Sequence, residues 1–443
     1  MTMRWMTTGV SAVALTLAGC AATAREQAAP APARTDRPAA TAAMPATTAL
    51  ADRYVAEGKA PGIVLAAGIG DSPTSFVARG GLTVQPGAKP TSPDTLWRVY
   101  SMTKPITGIA AMILIDDGKL KLDQPISDFF PAFKRMTVLT DPVNSLAARP
   151  AVREITVRHL LTHTAGLGYS ISTKGPLLKE YERLGLIPFA ASRQLEAAVK
   201  PVRPTSLKVF AERAAMLPLI ADPGTTWSYS MSLDVLGAVI EAASGVGFEQ
   251  FVATRIFQPL GMRSSYWTVP ASEVGRLADN YIWAGDNLIP GDPAATSVFL
   301  DPPSFPYGGA GLVMSVRDYD RFLHMLQNYG ELNGRRILKR ETAQLAMSNL
   351  LPSGVTFGGV AGTTGGSAGP RSGYGAGGSV TLEDVPGGPG AGTYGWGGAS
   401  GTIAWVDARR QVRGTGMVNY FPADRWPLRA DMVRAVYTDM AAR

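Results

Sequence analysis

The sequence predicts an α+β fold: an antiparallel sheet built from N- and C-terminal segments and flanked by helices, plus an inserted, mostly helical lobe. Three observations point there. Strand patterns gather near both ends of the body, at Ile63 to Ile69 and Ser75 to Arg79, and again at Thr402 to Asp407 and Val412 to Tyr420. Helical patterns fill the middle, with prolines at 188, 201 and 204 breaking residues 175–220. At 443 residues, 46% hydrophobic and 17% charged, the chain is globular and long enough for two lobes with a cleft between them. The net charge of +7 is modest, and no basic run interleaves with aromatics, which argues against nucleic acid as a partner. No apolar stretch inside the body is long enough to span a bilayer.

In chain order, the first element is a targeting segment. Arg4 supplies the positive charge, Gly9 to Leu17 the short apolar core, and Leu17-Ala18-Gly19-Cys20 the small residues of a cleavage site. The last four resemble the lipobox of bacterial lipoproteins. That resemblance implies a signal peptide over residues 1–20 and lipidation of Cys20. With Ala21 next, it implies a lipid anchor in the outer membrane, facing the periplasm. Cys20 is the only cysteine, so an internal disulfide is impossible. Residues 21–48, rich in Ala, Pro and Thr, read as a disordered tether. The body, 49–443, divides into an α/β lobe over roughly 49–160 and 300–443 and a helical lobe over roughly 161–299.

Ala49 to Glu57 reads as the first helix, and Gly70-Asp71-Ser72-Pro73 as the turn of the first strand pair. Thr95 to Val99 is a short strand. Ile106, Ile109, Ala110 and Ile113 then recur at helical spacing up to Gly118, a C′ residue. Ile126 to Phe130 follows as a turn and short helix. Thr156 caps Val157 to Thr164, closed by Gly166. Ser232 to Ala243 is a helix with Leu233, Leu236 and Ile240 inward, ended by Gly245. Ser315 and Asp318 cap another that carries Tyr319, Phe322, Leu323 and Leu326 on one stripe. Gly354 to Gly398 is glycine-rich and reads as a mobile loop or a lid near the cleft. Asp431 to Met440 is the last helix.

The chemistry centres on Ser101-Met102-Thr103-Lys104, where an amphipathic helix begins. Three residues apart on a helix, the hydroxyl and the amine share a face, so the amine can take the serine proton. Unpaired N–H groups at the helix start favour a developing anion. Four letters recur by chance in many chains, so the pattern needs partners. Tyr229, in Ser228-Tyr229-Ser230 ahead of the Ser232 helix, can reach across a cleft, where a nearby ammonium favours its phenolate as a base or relay. Trp396-Gly397-Gly398-Ala399-Ser400-Gly401 precedes an apolar strand, where an edge strand would offer a backbone N–H to an oxyanion.

These stretches occur in the order Ser101-x-x-Lys104, then Tyr229-Ser230 with Asp234-Val235-Leu236-Gly237, then Trp396-Gly397-Gly398. Added to them are His159-Leu160-Leu161-Thr162-His163-Thr164-Ala165-Gly166-Leu167, Tyr307-Gly308-Gly309-Ala310-Gly311-Leu312 and Gly401-Thr402-Ile403-Ala404-Trp405-Val406-Asp407. Together they resemble the serine β-lactamase and penicillin-binding-protein superfamily, closest to its class C-like branch, the family VIII carboxylesterases. The resemblance covers roughly residues 49–443. It implies a β-lactamase-like fold and a serine hydrolase that cleaves short-chain acyl esters through an acyl-enzyme on Ser101. Lys104 and Tyr229 would share the acid–base work, and the Ser101 and Ala399 N–H groups would form the oxyanion hole. Trp396, Gly397, Gly398 and Tyr169 would line the substrate pocket. The implied partner is a small ester. No metal, organic cofactor or obligate protein partner is implied.

Two departures narrow the activity. Where β-lactamases carry Lys or His and then Thr or Ser, this chain has Trp396 and Gly397, removing the groups that would bind a carboxylate. Met231 stands where Asn is usual. Both favour an uncharged ester over the alternative, a β-lactamase or D-amino-acid peptidase. Gly365-Gly366-Ser367-Ala368-Gly369 matches the nucleophile-elbow pattern but lacks the flanking strand and helix, so Ser367 reads as an incidental loop serine. Of the three histidines, His159 and His163 fall i, i+4 on one helix, a metal spacing without a third ligand, and read as structural. His324 reads as a boundary residue.

Overall fold

Seven antiparallel strands form the central sheet. From one edge they run Ser372–Tyr374, Ser379–Thr381, Tyr394–Gly397, Ile403–Asp407, Val412–Met417, Gly62–Ile69 and Ser75–Gly80. The two ends of the chain therefore meet inside one sheet, with Val64 opposite Met417 and Ile69 opposite Val412. This computed structural model describes residues 43–189, 191–358 and 370–442. The segment read as targeting, with Cys20, and the Ser367 motif lie outside them.

Alternation along Gly62–Ile69 explains the layers. Successive side chains on a strand point to opposite faces. Ile63, Leu65 and Ala67 pack with Leu50 and Tyr54 of the Pro45–Ala56 helix and with Met432 and Val436 of the terminal Leu428–Ala441 helix. Val64 and Ala66 face the other core, shared with Ile106, Ile109 and Ile113 of Thr103–Asp116 and with Tyr319, Phe322 and Leu326 of Val316–Gln327. A strand buried on both faces can afford few polar residues, and this one has none.

The middle of the chain is mostly helical, including Gly175–Arg183, Arg193–Val199, Leu207–Ala214 and Ser232–Ser244. The last is closed by Gly245 at φ 72°, in the left-handed region. Short strands interrupt this interval at Ser265–Tyr266, Asn280–Ala284 and Asn287–Asp292. Ser265–Tyr266 pairs with Val313–Ser315, which also pairs with Leu96–Arg98. The strand before Ser101 thus belongs to a small three-stranded sheet, outside the central one.

Four local expectations change. The first helix starts at Pro45, inside the stretch read as tether, because Pro fits the first turn and Asp439 accepts from the Thr47 N–H and hydroxyl. The Thr156-capped helix ends at Leu161, since His163 adopts φ 55°. His159 and His163 therefore do not share a helix. The last strand stops at Met417, and Tyr420–Phe421 pairs instead with Asn280–Ala284. Within Gly354 to Gly398, three segments are strands of the central sheet, because small residues suit its crowded edge.

Candidate active site

The turn into the Ser101 helix is held in an uncommon backbone conformation. Tyr100 takes φ 42°, a region L residues other than Asn and Asp seldom occupy. Its buried hydroxyl accepts from Asn280 Nδ2 at 3.1 Å. Tyr100–Met102 forms one 3-10 turn, and Thr103–Asp116 continues as α-helix. Ser101 thus stands at the mouth of the helix, half-buried.

Lys104 is fully buried, so its amine needs partners. Nζ donates to Ser101 Oγ at 3.2 Å and to the Gly309 carbonyl at 2.7 Å. The Tyr229 hydroxyl lies 2.7 Å from the same Ser101 Oγ, and the Tyr229 ring centroid lies 4.6 Å from Lys104 Nζ. One serine oxygen therefore has an amine and a phenol within hydrogen-bond reach, which is the geometry for moving its proton. Tyr169 is buried, its ring 5.5 Å from that of Tyr229 and 5.7 Å from Lys104 Nζ, so it walls the lysine side of the site. Burial pushes its phenol well above the usual tyrosine range.

The glycine-rich box joins from the central sheet. Tyr394–Gly397 is an interior strand, flanked by Ser379–Thr381 and Ile403–Asp407, and not the edge strand that the glycines suggested. Beyond it, Gly398 N–H donates to Thr402 O at 2.9 Å and closes a turn with Ala399 exposed at its tip. A Cβ on Gly398 would sit 2.3 Å from Val99 O, so the turn lies directly against the residues leading to Ser101. Ser400 Oγ donates to Arg98 O at 3.0 Å and stitches the two segments together. Trp396 is buried, its ring 5.8 Å from Tyr229 and 5.2 Å from Tyr374.

Several residues at the site had no catalytic role assigned from the sequence. Asp234 is buried in the Ser232–Ser244 helix, where its carboxylate accepts the Gly309 N–H at 2.8 Å. Burial raises it to about 6, although Lys104 pulls the other way. An acid between Leu233 and Val235 on an inward face was itself a signal, since an unpaired carboxylate there would be costly. His163 is buried 4.9 Å from the Tyr229 ring, and Nδ1 accepts the Ser230 N–H at 3.2 Å. Burial, reinforced by Lys104, holds it well below the usual imidazole range, so it braces Tyr229 as a neutral ring. His159 does different work: Nδ1 accepts the Thr156 N–H at 3.1 Å and completes a capping box. Arg429 of the terminal helix lies against Gly397 and Gly398.

A profile of the family described as Beta-lactamase matches residues 47–437. Protein Rv1367c of Mycobacterium tuberculosis (strain ATCC 25618 / H37Rv) is 36% identical over 267 residues, covering 59% of this chain and 61% of the relative. The chain thus spans about three-fifths of that relative's length. Acyltransferase calJ of Penicillium decumbens is 32% identical over 379 residues, 78% of this chain and 84% of the relative. Among solved structures, EstCE1, described as a hydrolase with promiscuous acyltransferase activity, matches with a TM-score of 0.71 at 25% identity, over 89% of this chain and 98% of that one.

Proposed function

This chain belongs to the β-lactamase family, and from that premise we propose that it is a carboxylesterase that cleaves short-chain acyl esters through an acyl-enzyme on Ser101. Its relatives support serine hydrolase or acyl-transfer chemistry as the broader class. The observation that carries the proposal is the meeting of Lys104 Nζ and the Tyr229 hydroxyl on one Ser101 oxygen, at 3.2 and 2.7 Å.

In this reading, Ser101 Oγ bonds to the ester carbonyl carbon while its proton passes to the Lys104–Tyr229 pair. The carbonyl oxygen becomes an oxyanion facing the Ser101 and Ala399 N–H groups. Collapse breaks the bond to the alkoxide oxygen, which leaves as the alcohol with the proton from the pair. Water then attacks the acyl-enzyme by the same route and releases the acid.

An ester suits the pocket better than a β-lactam. The Trp396 ring packs among aromatics where the cation of a β-lactamase would stand, and the Arg429 guanidinium beside Gly397 is engaged by the Gly398 carbonyl. The same proposal places the enzyme in the bacterial envelope, anchored through Cys20. The test is hydrolysis of p-nitrophenyl butyrate, with peptide mapping of a fluorophosphonate adduct. Turnover lost in Ser101→Ala and an adduct on Ser101 support the reading. Turnover retained in Ser101→Ala, or an adduct on Ser367, overturns it.

A further inference from the structure

We propose that Arg429 is a positioning residue that aims the oxyanion-hole peptide. The inference rests on the reading of Ser101 as nucleophile and concerns a residue 22 positions beyond the last motif of that reading, which ends at Asp407. Arg429 lies in the first turn of the Leu428–Ala441 helix. Its side chain crosses the end of the Tyr394–Gly397 strand so closely that a Cβ on Gly397 would lie 2.6 Å from its Cζ. Nη2 donates to the Gly398 carbonyl at 2.5 Å and, more weakly, approaches the Thr402 carbonyl at 3.4 Å.

The consequence follows from peptide geometry. In a trans peptide, the carbonyl and the following N–H point in opposite directions. Holding the Gly398 oxygen toward the terminal helix therefore turns the Ala399 N–H away from that helix. The turn it belongs to is packed on Val99 and Arg98, immediately before Ser101. No acceptor among the described residues takes the Ala399 N–H. Gly401 N–H also donates to the Gly398 carbonyl at 3.3 Å across the turn, so the guanidinium adds a shorter, charged donor to a weak contact at a peptide that the flanking glycine leaves easy to rotate. A guanidinium on the carbonyl also polarises the amide and makes its N–H a stronger donor.

The test compares Arg429→Met, which removes the donors, with Arg429→Lys, which keeps a single charged donor. For p-nitrophenyl butyrate, kcat in Arg429→Met should fall about a hundredfold, the usual loss for one oxyanion donor. KM should stay within about twofold, since the carbonyl of the bound ester depends little on that donor. Affinity for an alkylboronic acid, which forms a tetrahedral anion on the serine, should fall by the same factor as kcat. Arg429→Lys should lie between, and millimolar guanidinium should partly restore Arg429→Ala. Arg429→Met folded by circular dichroism with kcat within about threefold of the parent overturns the inference, as does a loss of kcat with boronate affinity unchanged. If Arg429→Met does not fold, Arg429→Lys and the rescue decide. A parent enzyme that forms no phosphonate adduct on Ser101 would instead overturn the nucleophile reading itself.

Discussion

Gly309 is gripped from both sides: the Asp234 carboxylate accepts its N–H at 2.8 Å, and its carbonyl accepts Lys104 Nζ at 2.7 Å. A Cβ at this position would lie 2.7 Å from Asp234 Oδ2, so only glycine lets the acid come this close. The Lys104 amine and the buried acid thus communicate through one residue. Lys104 reaches Ser101 from a fixed point because Asp234 fixes the far end of the contact.

That arrangement sets a pH dependence. Asp234, raised to about 6 by burial, is a carboxylate above that value and an acid below it. Protonation removes the charge that holds Gly309, so kcat/KM for p-nitrophenyl butyrate should fall as pH drops through about 6. Asp234→Asn keeps the shape without the charge. It should lose about tenfold at pH 7.5, the difference between a charge-assisted and a neutral hydrogen bond, and its acid limb should flatten. An unchanged limb in the variant would assign the titration elsewhere.

The Ser101, Lys104 and Tyr229 side chains share one oxygen, so their contributions should not add. Lys104→Met and Tyr229→Phe should each lower kcat by about 10²- to 10⁴-fold, the range for a proton-transfer group. The double variant should be little worse than the poorer single one, because neither partner works without the other. Multiplicative losses, measured as kcat in a double-mutant cycle, would show two independent functions.

The legible parts of this chain were those written in local patterns. Gly62–Ile69 announced itself by an unbroken apolar run, and Ser232–Ser244 by its inward stripe and its terminal glycine. Ser101, Lys104 and Tyr229 could be picked out because each sits at the start of such an element. Gly309 and Asp234 stood in quoted stretches without a role, since nothing local says that an N–H and a carbonyl of one glycine will be claimed by residues 75 and 205 positions away. Arg429 carried no local signal at all. The Pro45 start was hidden because Ala, Pro and Thr suit a tether and a helix's first turn alike. The three strands within Gly354 to Gly398 were obscured in the same way, as glycine lowers strand propensity even where packing demands it.

A buried ion pair secures the approach to Ser101. Arg98 Nε meets Asp292 Oδ2 at 2.6 Å with both side chains essentially inaccessible, and Nη1 donates to the Ala278 carbonyl at 2.6 Å. Asp292→Ala strands the guanidinium in the core, which costs about 3–5 kcal/mol. The urea midpoint should fall accordingly, with activity at 25 °C lost only as the fold is lost. A variant within about 1 kcal/mol of the parent would mean that water reaches the vacated site and solvates Arg98.

His159 ties stability to pH through its cap. Burial lowers its imidazole from the ordinary 6.5 to about 4, because the ring that accepts the Thr156 N–H is kept neutral. The unfolded chain therefore takes up the proton first, between about 6.5 and 4. The contribution of this neutral ring is complete above pH 6.5 and is lost as pH falls toward 4. Asp234, raised to about 6, acts in the opposite sense below that value, so the informative comparison is between variants at each pH. Glutamine at this position of a capping box can accept the same N–H without titrating. His159→Gln should match the parent's urea midpoint at pH 7.5 and exceed it at pH 5. Parallel midpoints at both values would remove His159 from the acid sensitivity of the fold.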